Sequence, residues 1–229
     1  MPLPKPIILA HRGDLRGPDR ATENTVDAYS EALEAGFCLE IDVRREPSGT
    51  FYISHDPVPA RPGLALDLFE PHFRAHPGRT VAVNVKELGY EPALAELVLT
   101  GTFGNDAFLF DFELLEPVMP GRAQRLIRSI PTCAGVRLAS RLSDRDEPLE
   151  QALAIPGEVV WADEFDAFWL TEEHVRAVHQ AKRLFFVVSP ELHGFPKTAC
   201  LRRWADLKSW GVDGICTDFA LEARAFFGT

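Results

Sequence analysis

Short apolar runs alternate with amphipathic runs about eight times along this chain, and that rhythm limits its fold more than any other feature. The strand-like runs fall at 7–10, 37–43, 80–86, 107–110, 135–139, 158–162, 184–188 and 214–216. Several are continuous apolar runs of four or five residues, as expected of strands buried on both faces. Helical spacing appears between them. Val26, Tyr29, Ala32 and Leu33 form one such stripe, which Asn24 or Thr25 can cap and Gly36 can stop. Further helices are predicted over 91–99, 114–128, 147–154, 172–181, 199–210 and 221–227, and the Pro/Gly-rich stretch 57–80 reads as loop with one helical turn. Such alternation predicts parallel strands joined by crossover helices. An open doubly wound sheet would want a Gly-rich phosphate loop after the first strand, and the loop after Ala10 has no GxGxxG. The expected architecture is a single-domain (β/α)8 TIM barrel over the 229 residues, near the short end for that fold.

Polar residues gather where these strands end. His11 and Arg12 close the first strand. Glu40 and Asp42 lie two apart in the second, so both carboxylates share one face and Ile41 takes the other. His55 ends a short strand, Asn84 and Lys86 share a face, and Asp111, Arg141, Asp163 and Glu191 follow later strands. In a barrel this end is the rim where active sites form. Side-by-side buried carboxylates raise each other's pKa or demand a cation. A hard divalent cation held by Glu40 and Asp42, with an imidazole nearby, suits phosphoryl chemistry. The competing reading is that these carboxylates meet Arg44, Arg45 or other basic groups. For His11 it is a capping or core histidine, and for His55 a plain turn residue. Asp218 reads as a helix cap, and His193 is left open.

Net charge is −10, from 24 Lys+Arg against 34 Asp+Glu, which argues against a nucleic-acid partner but not against a small phosphate substrate. The four cysteines show no CxxC or zinc spacing, and Cys38 and Cys216 sit in apolar runs as small core residues. The apolar run before His11 is too short for a signal-peptide core or a membrane span, so no transmembrane segment is expected and the chain reads as cytoplasmic.

The motifs taken together resemble the glycerophosphodiester phosphodiesterase family of barrel enzymes. The matching residues are His11-Arg12-Gly13, Glu23-Asn24-Thr25, Gly36, Glu40-Ile41-Asp42-Val43, Gly49 and His55-Asp56, then Arg141 with Ser143, and VDGICTD at 212–218. Their order and spacing make the combination specific, densest in the first quarter and at the last strand. The resemblance implies metal-dependent hydrolysis of a small-molecule phosphodiester. It makes His11 and His55 the general acid–base pair and Glu40 and Asp42 ligands for Mg²⁺ or Ca²⁺, with Asn84 beside them. Arg12 and Lys86 become phosphate clamps, Glu23 orients Arg12, and Arg141 is a further substrate-binding residue.

Three departures bear on these expectations. Asn84-Val85-Lys86 stands where the family has Glu-x-Lys, so a neutral amide replaces the third carboxylate; Glu191, Asp163 or Asp111 could supply another ligand. The stretch between Asp56 and Asn84 is short, which predicts a more open mouth. The last two strand ends before 214–216, Trp161-Ala162-Asp163-Glu164 and Ser189-Pro190-Glu191-Leu192-His193, differ from the family where groups beyond the phosphate would sit. A related enzyme acting on a lipid head-group or sugar-phosphate diester, or a phosphate-ester-binding barrel without turnover, are the alternatives.

Overall fold

The computed structural model describes residues 5–58 and 64–229. Eight parallel strands form the barrel: β1 (Ile7–His11), β2 (Cys38–Arg45), β4 (Thr80–Val85), β5 (Asp106–Phe110), β6 (Arg137–Leu142), β7 (Val159–Ala162), β8 (Leu184–Val188) and β9 (Gly214–Thr217). β1 pairs in parallel with both β9 and β2, which closes the barrel. A short strand, β3 (Phe51–Ile53), adds antiparallel to β2. The helices are α1 (Val26–Glu34), α2 (Glu70–Ala75), α3 (Glu91–Leu99), α4 (Phe112–Leu115), α5 (Arg122–Ser129), α6 (Leu149–Ala154), α7 (Glu172–Gln180), α8 (Lys197–Trp210) and α9 (Ala220–Phe227). The expected helix over 114–128 is split in two, because Pro117 and Pro120 remove two amide donors and Gly121 turns left-handed at φ 80°. Part of the Pro/Gly-rich loop, 59–63, lies outside the described residues. Among those described, no helix is long and apolar enough to cross a membrane.

The strand period of two sorts side chains into two cores. Leu39, Ile41, Val43, Val81, Val83 and Leu109 point outward against the helices. Leu9, Cys38, Ala82, Phe108, Phe110, Val159, Trp161, Phe186 and Cys216 fill the barrel axis. The same alternation carries His11, Glu40, Asp42, Asn84 and Arg141 inward. They sit where each strand runs out of apolar residues, above the aromatic plug.

Local chemistry sets the first crossover. Thr25 caps α1, its hydroxyl accepting from Ala28 N at 3.2 Å. Tyr29, Ala32 and Leu33 bury the inner stripe. Gly13, at φ +88°, lies where a Cβ would meet Tyr29 Cδ1 at 2.9 Å, so the HRG turn needs glycine on both steric and conformational grounds.

Candidate active site

The HRG and ENT turns are tied together beneath the rim by Asp42. Arg12 takes a left-handed backbone at φ 51°, its N–H donating to Glu40 O at 3.0 Å. Its Nε lies 3.0 Å from Asp42 Oδ2, and its Nη1 donates to Glu23 Oε2 at 3.2 Å. Asn24 was expected as a possible cap. It instead adopts φ 58° and donates through Nδ2 to Asp42 Oδ2 at 3.0 Å, while Tyr29 donates its hydroxyl to Asn24 Oδ1 at 2.5 Å. Lys86 Nζ reaches Asp42 Oδ1 at 2.8 Å. The reading in which basic groups meet the carboxylates therefore holds for Asp42, with Arg12 and Lys86 as partners. Arg44 does something the sequence gave no sign of: its guanidinium donates to the His55 carbonyl and pairs with Glu87, fixing the backbone that carries His55.

The two histidines sit in unlike environments. His11 Nδ1 is 2.6 Å from Asp218 Oδ1, and its Nε2 is 3.9 Å from Glu40 Oε2. Asp218 is thus no cap: α9 has no side-chain cap, and the carboxylate turns inward to the imidazole. Burial alone would lower the His11 pKa, but the Asp218 hydrogen bond and the Glu40 charge outweigh it and leave it above the ordinary value. His55 is 44% exposed, its Nδ1 2.9 Å from Asp56 Oδ1. Partial desolvation, with Arg12 and Lys86 nearby, holds its pKa below the ordinary value. The carboxylates diverge likewise. Burial, then the neighbouring Asp42, pushes Glu40 up. Burial acts upward on Asp42 too, but Lys86 and Arg12 overcome it and hold Asp42 low.

Arg141, expected as a further substrate-binding residue, lines the cavity and is held there by carboxylates. Its side chain is 2% exposed, and each of its three nitrogens meets a carboxylate, of Asp111, Glu147 or Asp163. Asp163 also meets His193, Oδ1 to Nε2 at 2.8 Å. Asp111 and Asp163 each give an oxygen to Arg141. Glu191 accepts from the hydroxyls of Thr217 and Ser189 and from Asp218 N.

One cavity of about 230 Å³ is lined by His11, Arg12, Glu40, His55, Asn84 and Lys86 on one side, and by Phe110, Asp111, Arg141, Trp161, Asp163 and His193 on the other. A larger depression of about 440 Å³ beside the β1–α1 loop, lined by Asp14, Arg16 and Asp19 among others, carries neither histidine. Within the smaller cavity's wall, Glu40 Oε2 and Asn84 Oδ1 are buried without a hydrogen-bond partner. Orphaned oxygens on neighbouring strands suit a hard cation, so the donor set fits Mg²⁺ or Ca²⁺, with weak charge complement because Asn84 is neutral. Among the described residues, no group of three or more His, Cys, Asp or Glu side chains could hold a metal ion.

No protein-family model matches this sequence, and no curated protein is significantly similar to it. Solved structures are similar in fold. A Galdieria sulphuraria protein assigned as a glycerophosphodiester phosphodiesterase has TM-score 0.75 at 16% identity, with 99% of each chain covered. The glycerophosphodiester phosphodiesterase of Agrobacterium tumefaciens has TM-score 0.67 at 20% identity, covering 98% of this chain and 100% of that one. An Oleispira antarctica phosphodiesterase, solved with its product sn-glycerol-3-phosphate, has TM-score 0.63 at 14% identity and covers 98% of both chains. At these identities the likeness is one of fold, and it spans the chain.

Proposed function

We propose that this barrel hydrolyses a glycerophosphodiester-like substrate, with His11 and His55 as the acid–base pair. The observation that carries this reading is convergence: two imidazoles and two fixed cations, Arg12 and Lys86, share one cavity with Glu40 and Asn84. The structural likeness to phosphodiesterases, one of them solved with a glycerol phosphate product, supports the same reaction class.

A phosphodiester carries one negative charge. Lys86 and Arg12 attract it and supply charge-assisted hydrogen bonds. Asp42 keeps both side chains aimed and charged, and Glu23 braces Arg12 from outside. His55, whose pKa is held down, is neutral near pH 7 and takes the proton from the attacking oxygen, a water or a substrate hydroxyl. His11, braced as the imidazolium by Asp218 and Glu40, gives its Nε2 proton to the departing alkoxide. Glu40 and Asn84 would hold the divalent cation, and Asp42 could join them only by giving up an oxygen now paired with Lys86 or Arg12. When bound, that cation neutralises charge developing on the phosphate.

The test is release of glycerol phosphate from a diester panel, with and without Mg²⁺ or Ca²⁺, by wild type and by His11→Ala and His55→Ala. Each substitution should reduce turnover by at least ~10²-fold, the usual contribution of a positioned acid or base, with the fold intact by circular dichroism. Wild-type rates surviving either change refute the assignment. Binding without metal-dependent cleavage would favour the reading in which Asn84 marks a barrel that only binds.

A further inference from the structure

The turn that carries His55 is held almost entirely by its backbone. His55 lies two residues beyond β3, with its side chain half-exposed. Among the described residues its ring has one hydrogen-bond partner, the Asp56 carboxylate, which is itself exposed. A contact between neighbouring exposed side chains fixes little, because each keeps most of its rotamer freedom. The Ser54 N–H donates to Asp42 O at 3.1 Å, and the Ser54 hydroxyl donates to Asp56 O at 2.8 Å. The remaining anchor is buried: Arg44 donates to the His55 carbonyl from Nε at 3.0 Å and from Nη2 at 2.5 Å.

Arg44 is aimed in its turn. Its Nη1 pairs with one Glu87 oxygen, and the other accepts from Arg45 N at 3.0 Å and from the Tyr90 hydroxyl. Tyr90 stands edge-on to Phe51 of β3 with ring centroids 5.8 Å apart, and the Arg45 guanidinium lies 5.4 Å and 5.6 Å from these two ring centres. Arg44 thus ties the turn after β3 to the loop after β4. Glu87 directly follows Lys86 in the chain, so one guanidinium spans from the base to the neighbour of the phosphate clamp. Each of the three Arg44 nitrogens has a protein partner, and Arg44 is not among the residues lining the cavity. It is placed to hold protein rather than ligand. A planar guanidinium fork fixes a carbonyl in direction as well as distance, which a single ammonium does not.

We infer that Arg44 is the positioning residue for His55: through its clasp with Glu87 it sets where the imidazole stands relative to a phosphate held at Lys86. This rests on the phosphodiester reading and adds to it the residue that orients the base. Arg44 touches no substrate and acts by holding the turn, so its loss should cost turnover rather than binding. A misplacement of about 1 Å can cost ~10²-fold in rate.

The experiment makes Arg44→Lys and Glu87→Ala, singly and together, and measures kcat and KM on the best diester of the panel above, with thermal unfolding of the same samples. Lys keeps the charge and loses the fork. Glu87 is partly exposed on a loop, so its truncation should leave the fold in place and decides the matter should Arg44→Lys not fold. Arg44→Lys should lower kcat by ~10–10²-fold and Glu87→Ala by more than about threefold, with KM little changed. The double variant should fall no further than the worse single one, because both break one clasp. Wild-type kcat per folded molecule in either single variant, with or without a lowered Tm, overturns the inference, and so do losses that multiply in the double variant. The second readout needs no turnover: the His55 ring resonance, identified against His55→Ala, should move in Arg44→Lys towards that of free histidine while the His11 resonance stays in place. If wild type cleaves no diester yet this movement is seen, the clasp stands and the acid–base reading falls. If the His55 resonance is unmoved in both single variants, the inference fails.

Discussion

Replacing Asp218 by Asn tests whether the carboxylate behind His11 serves the imidazole or merely fills space. The two side chains meet at 2.6 Å and are 8% and 17% exposed, so water screens them little. A hydrogen bond involving a charged group in such a place is worth ~1.5–3 kcal/mol. Burial lowers the His11 pKa and Asp218 is foremost among the groups raising it, so without the carboxylate the titration must move to lower pH. Asn also offers an N–H where Nδ1 had been a donor. That favours the wrong tautomer and leaves Nε2 without its partner's support. In serine proteases the corresponding change behind a catalytic histidine lowers kcat by ~10⁴. A fall of ~10²–10⁴ in kcat is expected here, equivalent to about 3–5 kcal/mol of transition-state stabilisation. KM should change little, and the fold should persist, because the Asp218 backbone N–H keeps its bond to Glu191. The assay is kcat and KM across pH 5–9, with histidine NMR titration of the same samples. If kcat stays within threefold and the His11 resonance titrates where it did, Asp218 has no part in catalysis.

Other outcomes follow from the same structure. Asn84→Glu adds a carboxylate beside the unpartnered Glu40 oxygen and should tighten Mg²⁺ or Ca²⁺ binding by tenfold or more in calorimetry; unchanged affinity would mean that position 84 does not face the ion. Glu113, buried under β6, has its pKa pushed up to about 7 by burial, against an ordinary 4.5. Its folded pKa is raised, so the relative stability it confers is full below pH 4.5 and is lost as pH rises through about 7, by ~3 kcal/mol in all. Urea titrations should show Glu113→Gln flattening that part of the pH profile, and an unaltered profile counts against the assignment. Gly214→Ala would set a methyl 2.2 Å from the buried Phe186 ring. Overpacking of this kind costs ~1–3 kcal/mol or more, readable as a lowered Tm; a neutral substitution would show that the plug is loosely packed.

Much of this molecule follows from local pattern. The eight strand–helix alternations specify a barrel, because continuous apolar strands need cover on both faces and crossover connections have one hand. Period two, applied to Glu40-Ile41-Asp42 and Asn84-Val85-Lys86, also puts the carboxylates, the amide and the ammonium on one inward face. Those inferences need only neighbours in the chain.

Partnership between distant strand ends was not legible in the same way. The linear order could not say that Asp42 is clasped by Arg12 and Lys86, that Asp218 backs His11 from 207 residues away, or that Arg141 is consumed by Asp111, Glu147 and Asp163. Asn24 and Asp218 carry ordinary capping side chains, and only barrel closure through the β1–β2 and β1–β9 pairings turns them inward. The chain's own order therefore determined which residues reach the rim. Closure decided which charges neutralise one another there and which remain for a ligand, since electrostatic energy depends on separation in space and on burial, and neither is a property of sequence distance.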